Sequence, residues 1–166
     1  MTRITLLALT IPLLTTLVFA QTDSAWAPAC GAPDTKFEVR TDKEQNPAQP
    51  ETGKALVYFI QDDSEFLSRP RPTTRVAMDG EWLGATRSNS YFYFFAAPGV
   101  HHLCTSWQPA ILEQRTAATH FTAEEGTVYY FSVKNGPGNM NFSPLDSDEG
   151  QLLVNQFSFS TSRSKK

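Results

Sequence analysis

Short strand-length segments, separated by turn signals, run along most of this chain and constrain its fold more than any other feature. About seven or eight such segments, rich in β-branched and aromatic residues, follow one another at regular spacing across residues 53–160. Helical periodicity is nearly absent, although Asp146 can cap one short helix. The pattern predicts an all-β protein, an antiparallel β-sandwich of about seven or eight strands with a short C-terminal helix. Residues 161–166 predict a polar tail.

Turn residues indicate how these strands connect. A continuous apolar run at residues 54–60 is typical of a central strand that is covered on both faces. Three further segments each predict a hairpin, because turn-forming residues stand between two strand-length runs. The turns of these hairpins are Asp79-Gly80, which suits a type I′ turn, Pro98-Gly99, and Glu124-Glu125-Gly126.

The N-terminus has the pattern of a cleaved secretory signal peptide, residues 1–20. Arg3 precedes an apolar run from Ile4 to Phe19, and Val18 and Ala20 are the small residues that a signal peptidase requires. The pattern predicts a secreted or periplasmic protein. Loss of Arg3 changes the formal net charge from −3 to −4, which does not favour nucleic acid or anionic lipid as a partner. No later apolar run is long enough to span a bilayer, so we expect no stable membrane insertion after cleavage.

The chain has two cysteines, Cys30 and Cys104, and an even count in an exported protein favours a disulfide. On a chain-entropy model this bond contributes on the order of 4 kcal/mol. The bond would attach the Pro-rich segment 21–52 to the protein core. We predict that this segment is an extended arm with one short strand at 36–40. Lipid attachment at Cys30 is the weaker alternative, because Pro28 does not fit a lipoprotein cleavage motif.

Motifs that carry catalysis or bind phosphate are lacking in the sequence, and we predict no catalytic constellation, no metal and no other cofactor. His101 and His102 are adjacent on a predicted strand, so they point to opposite faces and cannot easily share one metal. His120 lies on another strand and can approach only one of them. The alternative that stays open is a hydrolase acting on cell-envelope polymer, in which His101 or His102 works with a turn carboxylate such as Asp63.

The strand at 90–97 is strongly aromatic and suggests a binding face. Tyr91, Tyr93 and Phe95 share one face of it, whereas two phenylalanines share the other. Since only one face of a sandwich strand meets the core, the other face needs cover. That cover comes either from the arm or the C-terminal segment, or from a bound partner. The candidate binding face consists of Tyr91, Tyr93, Trp82 and Trp107.

The order of these motifs resembles a bacterial family of exported proteins and lipoproteins that is known only as a domain of unknown function, family 2846 of that series. The strand–Asp-Gly–strand–Pro-Gly-His pattern is also similar to PEGA-type surface β-domains. The resemblance implies an Ig/PEGA-like sandwich in the cell envelope and supplies no catalytic residues. The segments that carry it, within residues 53–155, are Gly53-Lys-Ala-Leu-Val-Tyr58, Asp79-Gly80, Pro98-Gly99-Val-His101-His-Leu-Cys104 and Gly126-Thr-Val-Tyr129-Tyr130-Phe131.

Together these features predict a non-enzymatic envelope or extracellular module that binds a protein or glycan partner. The supporting features are a predicted location outside the cytoplasm, a surplus of aromatic residues and sheet edges that can accept a partner strand. A purely structural role is the further alternative.

Overall fold

The computed structural model describes residues 30–44, 47–66, 70–108, 115–136 and 139–165, which form two packed β-sheets and one helix. The predicted β-sandwich is confirmed, with ten strands among the described residues in place of seven or eight. The predicted signal peptide lies outside the described residues. Within the described part of the chain, no helix has the length and hydrophobicity that a membrane crossing requires. The elements are β1 (Lys36–Asp42), β2 (Ala55–Asp62), β3 (Thr73–Met78), β4 (Glu81–Arg87), β5 (Ser90–Ala96), β6 (Gly99–Trp107), β7 (Thr116–Ala123), β8 (Val128–Gly136), β9 (Asn139–Leu145), α1 (Ser147–Gln156) and β10 (Ser158–Lys165).

The strands divide into a larger and a smaller sheet. The six-stranded sheet has the order β1-β10-β5-β2-β8-β9, and the four-stranded sheet has the order β4-β3-β6-β7. Most neighbours are antiparallel, as predicted, but β2 pairs with β8 and β5 pairs with β10 in parallel. Parallel neighbours need long connections, so short turn signals in the sequence cannot identify them.

Strand β2 lies in the middle of the six-stranded sheet and separates two hydrophobic clusters. Its residues 55–61 are all buried, which explains the continuous apolar run in the sequence. Val57 and Phe59 face the core between the two sheets. Tyr58 and Ile60 face the opposite side, which we call the outer face of the six-stranded sheet.

Of the three predicted hairpins, the first alone joins neighbouring strands. Asp79 and Gly80 have positive φ angles of 51° and 87° and connect β3 to β4, as a type I′ turn requires. Pro98-Gly99 carries the chain from β5 in the six-stranded sheet to β6 in the four-stranded sheet, and Glu124-Glu125-Gly126 carries it from β7 back to β8. Those two hairpin predictions are wrong, because a turn signal marks a reversal of the chain without specifying which strand the next segment will join.

Residues 30–35 of the N-terminal arm pack against the four-stranded sheet, on the side away from the core, whereas residues 36–42 of the arm form β1 of the six-stranded sheet. The predicted disulfide between Cys30 and Cys104 is confirmed and attaches the arm to β6. The indole N–H of Trp82 donates a hydrogen bond to the carbonyl oxygen of Ala32 (2.8 Å). The guanidinium of Arg75 donates to two further carbonyl groups of the arm. One covalent bond and several hydrogen bonds therefore hold this part of the arm in place.

The C-terminal segment differs from the prediction at its end. Residues 161–165, predicted as a polar tail, belong to β10, which lies between β1 and β5, with Lys36 paired to Lys165. Residues 161–165 are all polar, so no hydrophobic pattern within them indicates a strand. The short helix is confirmed as α1, and the Asp146 carboxylate accepts a hydrogen bond from the backbone N–H of Glu149 at its start (2.8 Å).

Candidate functional site

The outer face of the six-stranded sheet carries a cluster of aromatic rings. Alternation along β5 places Tyr91, Tyr93 and Phe95 on this face, as predicted. Tyr58 of β2 and Phe159 of β10 lie beside them. The ring centroid of Tyr93 is 5.9 Å from that of Tyr58, 6.0 Å from that of Phe95 and 5.8 Å from that of Phe159. At such separations, tilted and edge-to-face ring pairs are mutually attractive.

Much of this face is covered by the chain itself. Helix α1 packs on it, and Gly150 brings the helix so close to Tyr130 that a Cβ atom at this position would overlap the tyrosine ring. The Tyr58 hydroxyl accepts a hydrogen bond from the backbone N–H of Ala48 (3.1 Å). Tyr91 is 0% exposed. The prediction that Tyr91 lies on an exposed binding face is therefore wrong, because the C-terminal segment covers its ring.

A part of the outer face is only partly covered by the described residues. We call it the outer patch. Leu152, the sequence neighbour of Leu153 in α1, is 53% exposed, and the Lys54 ammonium nitrogen lies 5.7 Å from the ring centroid of Phe95. The outer patch consists of five half-buried residues that belong to one hydrophobic cluster: Tyr93, Phe95, Leu153, Phe157 and Phe159.

Two tryptophans of the predicted binding face lie away from this patch. Trp107 is 5% exposed, and its indole N–H donates to the side-chain oxygen of Asn135 (2.8 Å). Trp82 is half-buried, and its ring centroid is 4.2 Å from the guanidinium carbon of Arg75. The prediction that both extend the aromatic face of β5 is wrong, because β4 and β6 belong to the other sheet. Trp82 instead holds the N-terminal arm.

Sequence reasoning missed Arg75, which is fully buried on β3. Its guanidinium donates to neutral groups, namely the carbonyls of Pro33 (3.1 Å) and Thr35 (2.5 Å) and the hydroxyl of Ser106 (3.4 Å). Burial lowers the pKa of Arg75 below its ordinary value, and the charge of Asp34 opposes this shift. The available signal was a lone charge inside an otherwise uncharged strand. Such a charge is expected to be paired or hydrogen-bonded when it is buried.

Asp63, the carboxylate proposed for hydrolysis, lies in a buried polar network. It accepts hydrogen bonds from the side-chain amides of Gln61 (2.8 and 3.0 Å) and Asn135 (2.7 Å). Burial raises the pKa of Asp63 above its ordinary value of 3.8, although these hydrogen bonds oppose the shift. The carboxylate that contacts His101 is a different one, that of Asp79. The predicted pairing of His101 or His102 with Asp63 is therefore wrong.

His101 uses both of its ring nitrogens in contacts with other groups. Its Nδ1 lies 2.6 Å from Oδ2 of Asp79, and its Nε2 lies 2.7 Å from the carbonyl oxygen of Ala97. Burial alone would lower the pKa of His101, but the hydrogen bonds to Asp79 and Ala97 and the charge of Asp79 raise it above 6.5. The side chain of His102 is 64% exposed, as alternation along the strand predicts. Since both nitrogens of His101 are engaged, neither is free to act as a general base.

Possible metal ligands and two cavities can be compared with the outer patch within the described part of the chain. Among the residues that the structure describes, no group of three or more His, Cys, Asp or Glu side chains is placed to hold a metal ion. Two open cavities, of about 150 and 190 Å³, are smaller than typical small-molecule pockets of about 300–1,000 Å³. The first is lined by Asp62, Ser64, Glu65, Lys134, Asn135, Gly136, Asn139 and Asn141, and the second by Glu38, Arg40, Thr161, Ser162 and Arg163.

The comparisons with known proteins agree with the resemblance seen in the sequence. No curated protein matches the chain. The family described as "Protein of unknown function (DUF2846)" matches residues 51–143, more than half of the chain. This match begins just before β2 and ends within β9, so it includes the aromatic face of β5 and the contact between His101 and Asp79. The chain therefore belongs to the DUF2846 family.

Proposed function

We propose that this protein is an exported, non-enzymatic binding module whose outer patch binds a partner protein. The observation that carries the proposal is the half-burial of Tyr93, Phe95 and Phe159, which stay accessible although α1 covers rings beside them. Accessible aromatic residues in well-packed surroundings are typical of the positions that contribute most to protein–protein binding. Because the rings pack on one another, their orientation is set before binding, and less entropy is lost on association.

The composition of the outer patch favours a protein partner over a glycan. Of the five residues in the patch, Tyr93 alone carries a polar side-chain atom. A glycan presents many hydroxyl groups, and each one that leaves water without a replacement hydrogen bond costs free energy. The neighbouring ammonium group of Lys54 already pairs with Glu51 (2.8 Å). An apolar strip on a partner, such as one face of an amphipathic helix, fits this surface better.

Other features support export and the absence of catalysis. The Cys30–Cys104 disulfide suits an oxidising compartment, and the apolar N-terminal run suits a secretory signal. The side chains considered for hydrolysis are engaged elsewhere, Asp63 by amides and His101 by Asp79 and a backbone carbonyl. A hydrolase acting on envelope polymer therefore has less support than a binding module.

Site-specific photocrosslinking tests the proposed binding surface. A photoreactive phenylalanine analogue replaces Tyr93 in the mature protein, which is then mixed with an envelope fraction of the producing cell. The matched control carries the same probe at Val100, which is 62% exposed but lies on β6 of the other sheet. We expect a discrete protein adduct from position 93 and none from position 100. Equal adducts at both positions, or an adduct with polysaccharide alone, would contradict the proposal.

Affinity for the crosslinked partner gives a second test. Tyr93→Lys places a charge in the outer patch and is expected to weaken binding by about 30-fold, which corresponds to the loss of about 2 kcal/mol for a central aromatic residue. Val100→Lys is expected to leave the affinity unchanged. Circular dichroism of each variant establishes that it is folded. Unchanged affinity in a folded Tyr93→Lys variant would rule out the outer patch as the binding surface.

A further inference from the structure

The geometry around His101 requires a proton on both of its ring nitrogens. Nδ1 faces a carboxylate oxygen of Asp79 at 2.6 Å, and Nε2 faces the backbone carbonyl oxygen of Ala97 at 2.7 Å. An ionised carboxylate and a carbonyl only accept hydrogen bonds, so each nitrogen has to be the donor. A neutral imidazole has a single N–H. The two contacts therefore coexist only when His101 is an imidazolium cation.

The two contacts join parts of the chain that are distant in sequence. Asp79 lies at the tip of the β3–β4 turn, and its second carboxylate oxygen accepts a hydrogen bond from the backbone N–H of His102 (2.8 Å). Ala97 lies in the connection between β5 and β6, where the chain passes from the six-stranded to the four-stranded sheet. The imidazolium of His101 thus links the β3–β4 turn to the β5–β6 connection, which joins the two sheets.

The described titratable groups around this contact are few. From β6, Nδ1 of His102 lies 3.9 Å from Oδ1 of Asp79. From β7, the His120 ring centroid is 6.4 Å from that of His102, and the Phe121 ring packs 5.8 Å from that of His101. Burial would raise the pKa of Asp79, but hydrogen bonds from the His102 backbone and from His101, together with the charges of both histidines, lower it below 3.8. Asp79 is therefore ionised throughout the range in which His101 titrates.

We propose that His101 is a pH-sensitive clip that holds the β3–β4 turn against the β5–β6 connection and opens when the ring is deprotonated. Loss of one ring proton leaves a nitrogen lone pair facing an oxygen atom, so one of the two contacts has to break. The contact with Ala97 is the one expected to break, because the single N–H that is left bonds more strongly to the charged Asp79. The β5–β6 connection is then released from the hairpin tip.

The sign of the pH dependence follows from the geometry. The contacts of His101 raise its pKa in the folded protein above the ordinary value of 6.5. The stability that the His101 contacts contribute is therefore fully present below the pKa that His101 has in the unfolded chain. It is lost as the pH rises through the higher pKa of the folded state.

Nitrogen NMR of the wild-type protein tests the proposal directly. At pH 6.5, the ordinary pKa of histidine, both ring nitrogens of His101 are expected to show mostly imidazolium shifts. As the pH rises, the Nε2 signal is expected to move to that of an unprotonated nitrogen while Nδ1 keeps its proton. In the same interval, amide hydrogens around Ala97 are expected to lose protection from exchange. A neutral His101 ring at pH 6.5, or unchanged protection around Ala97 after the ring has titrated, would overturn the proposal.

Two glutamine variants give an independent test by thermal unfolding. Wild type and the matched control His102→Gln are expected to lose melting temperature over the same pH interval above 6.5. His101→Gln is expected to lose this pH dependence, because glutamine does not titrate. A His101→Gln variant with the wild-type pH dependence would overturn the proposal. If this variant does not fold, the NMR titration of the wild-type ring decides alone.

Discussion

Removal of the disulfide between Cys30 and Cys104 is expected to lower the free energy of unfolding by about 4–5 kcal/mol. The two cysteines are 74 residues apart in sequence. In the chain-entropy model, a cross-link over such a distance removes about 15 cal/mol/K from the unfolded chain, which is about 4.5 kcal/mol at 25 °C. The native arm has other attachments, among them the hydrogen bond from Trp82 to Ala32. The effect is therefore expected to act mainly through the unfolded state.

Urea unfolding of the double variant Cys30→Ala/Cys104→Ala, followed by circular dichroism, measures this loss. The slope of the unfolding free energy against urea is expected to rise, because an unfolded chain without the cross-link exposes more surface. The melting temperature is expected to fall by about 10–18 °C. Wild type treated with a reductant is the matched control and should coincide with the variant. A loss below about 1 kcal/mol would refute the reasoning, because the disulfide would then restrict the unfolded chain very little.

Two further substitutions test the packing of α1 and the buried polar network. Gly150→Ala forces a methyl group into the Tyr130 ring and is expected to lower the free energy of unfolding, measured in urea, by about 1–3 kcal/mol. The control Gln151→Ala, at an exposed position of the same helix, should change this free energy by less than about 0.5 kcal/mol. Equal effects of the two would show that α1 does not rest on Tyr130. Burial raises the pKa of Asp63 in the folded protein above 3.8, so wild type should lose stability relative to Asp63→Asn as the pH rises through this folded-state pKa. Urea unfolding of both proteins over a pH series measures the difference in stability. A constant difference between the two across that series would contradict a raised pKa.

Several features of this fold were accessible from the sequence because their signals are local. The buried run of β2, the Asp79-Gly80 turn and the capping of α1 by Asp146 each depend on a few neighbouring residues. The pairing of Cys30 with Cys104 followed because the chain has two cysteines. The alternation along β5 likewise placed Tyr93 on its face correctly.

The features that the sequence did not reveal depend on contacts between distant segments. Pro98-Gly99 looks like a hairpin turn, yet β5 and β6 join different sheets, which removes Trp107 from the aromatic face. Tyr91 is buried because Phe159, from the end of the chain, packs beside it (ring centroids 5.6 Å apart). Neither outcome can be read from local composition. For the same reason His101 could not be matched to its carboxylate, since several turn acids were equally available in the sequence.

The position of β10 has a consequence for the order in which the molecule can fold. β10 is the last strand among the described residues, yet it lies between β1 and β5, and it is the strand with which β1 pairs. The six-stranded sheet therefore cannot form completely until β10 has emerged from the ribosome. Pairings of such long range form slowly, because much of the chain must be ordered before they are made. A fragment limited to residues 51–143 lacks both β1 and β10, and it leaves the edge of β5 and the Tyr91 ring open to association with other chains.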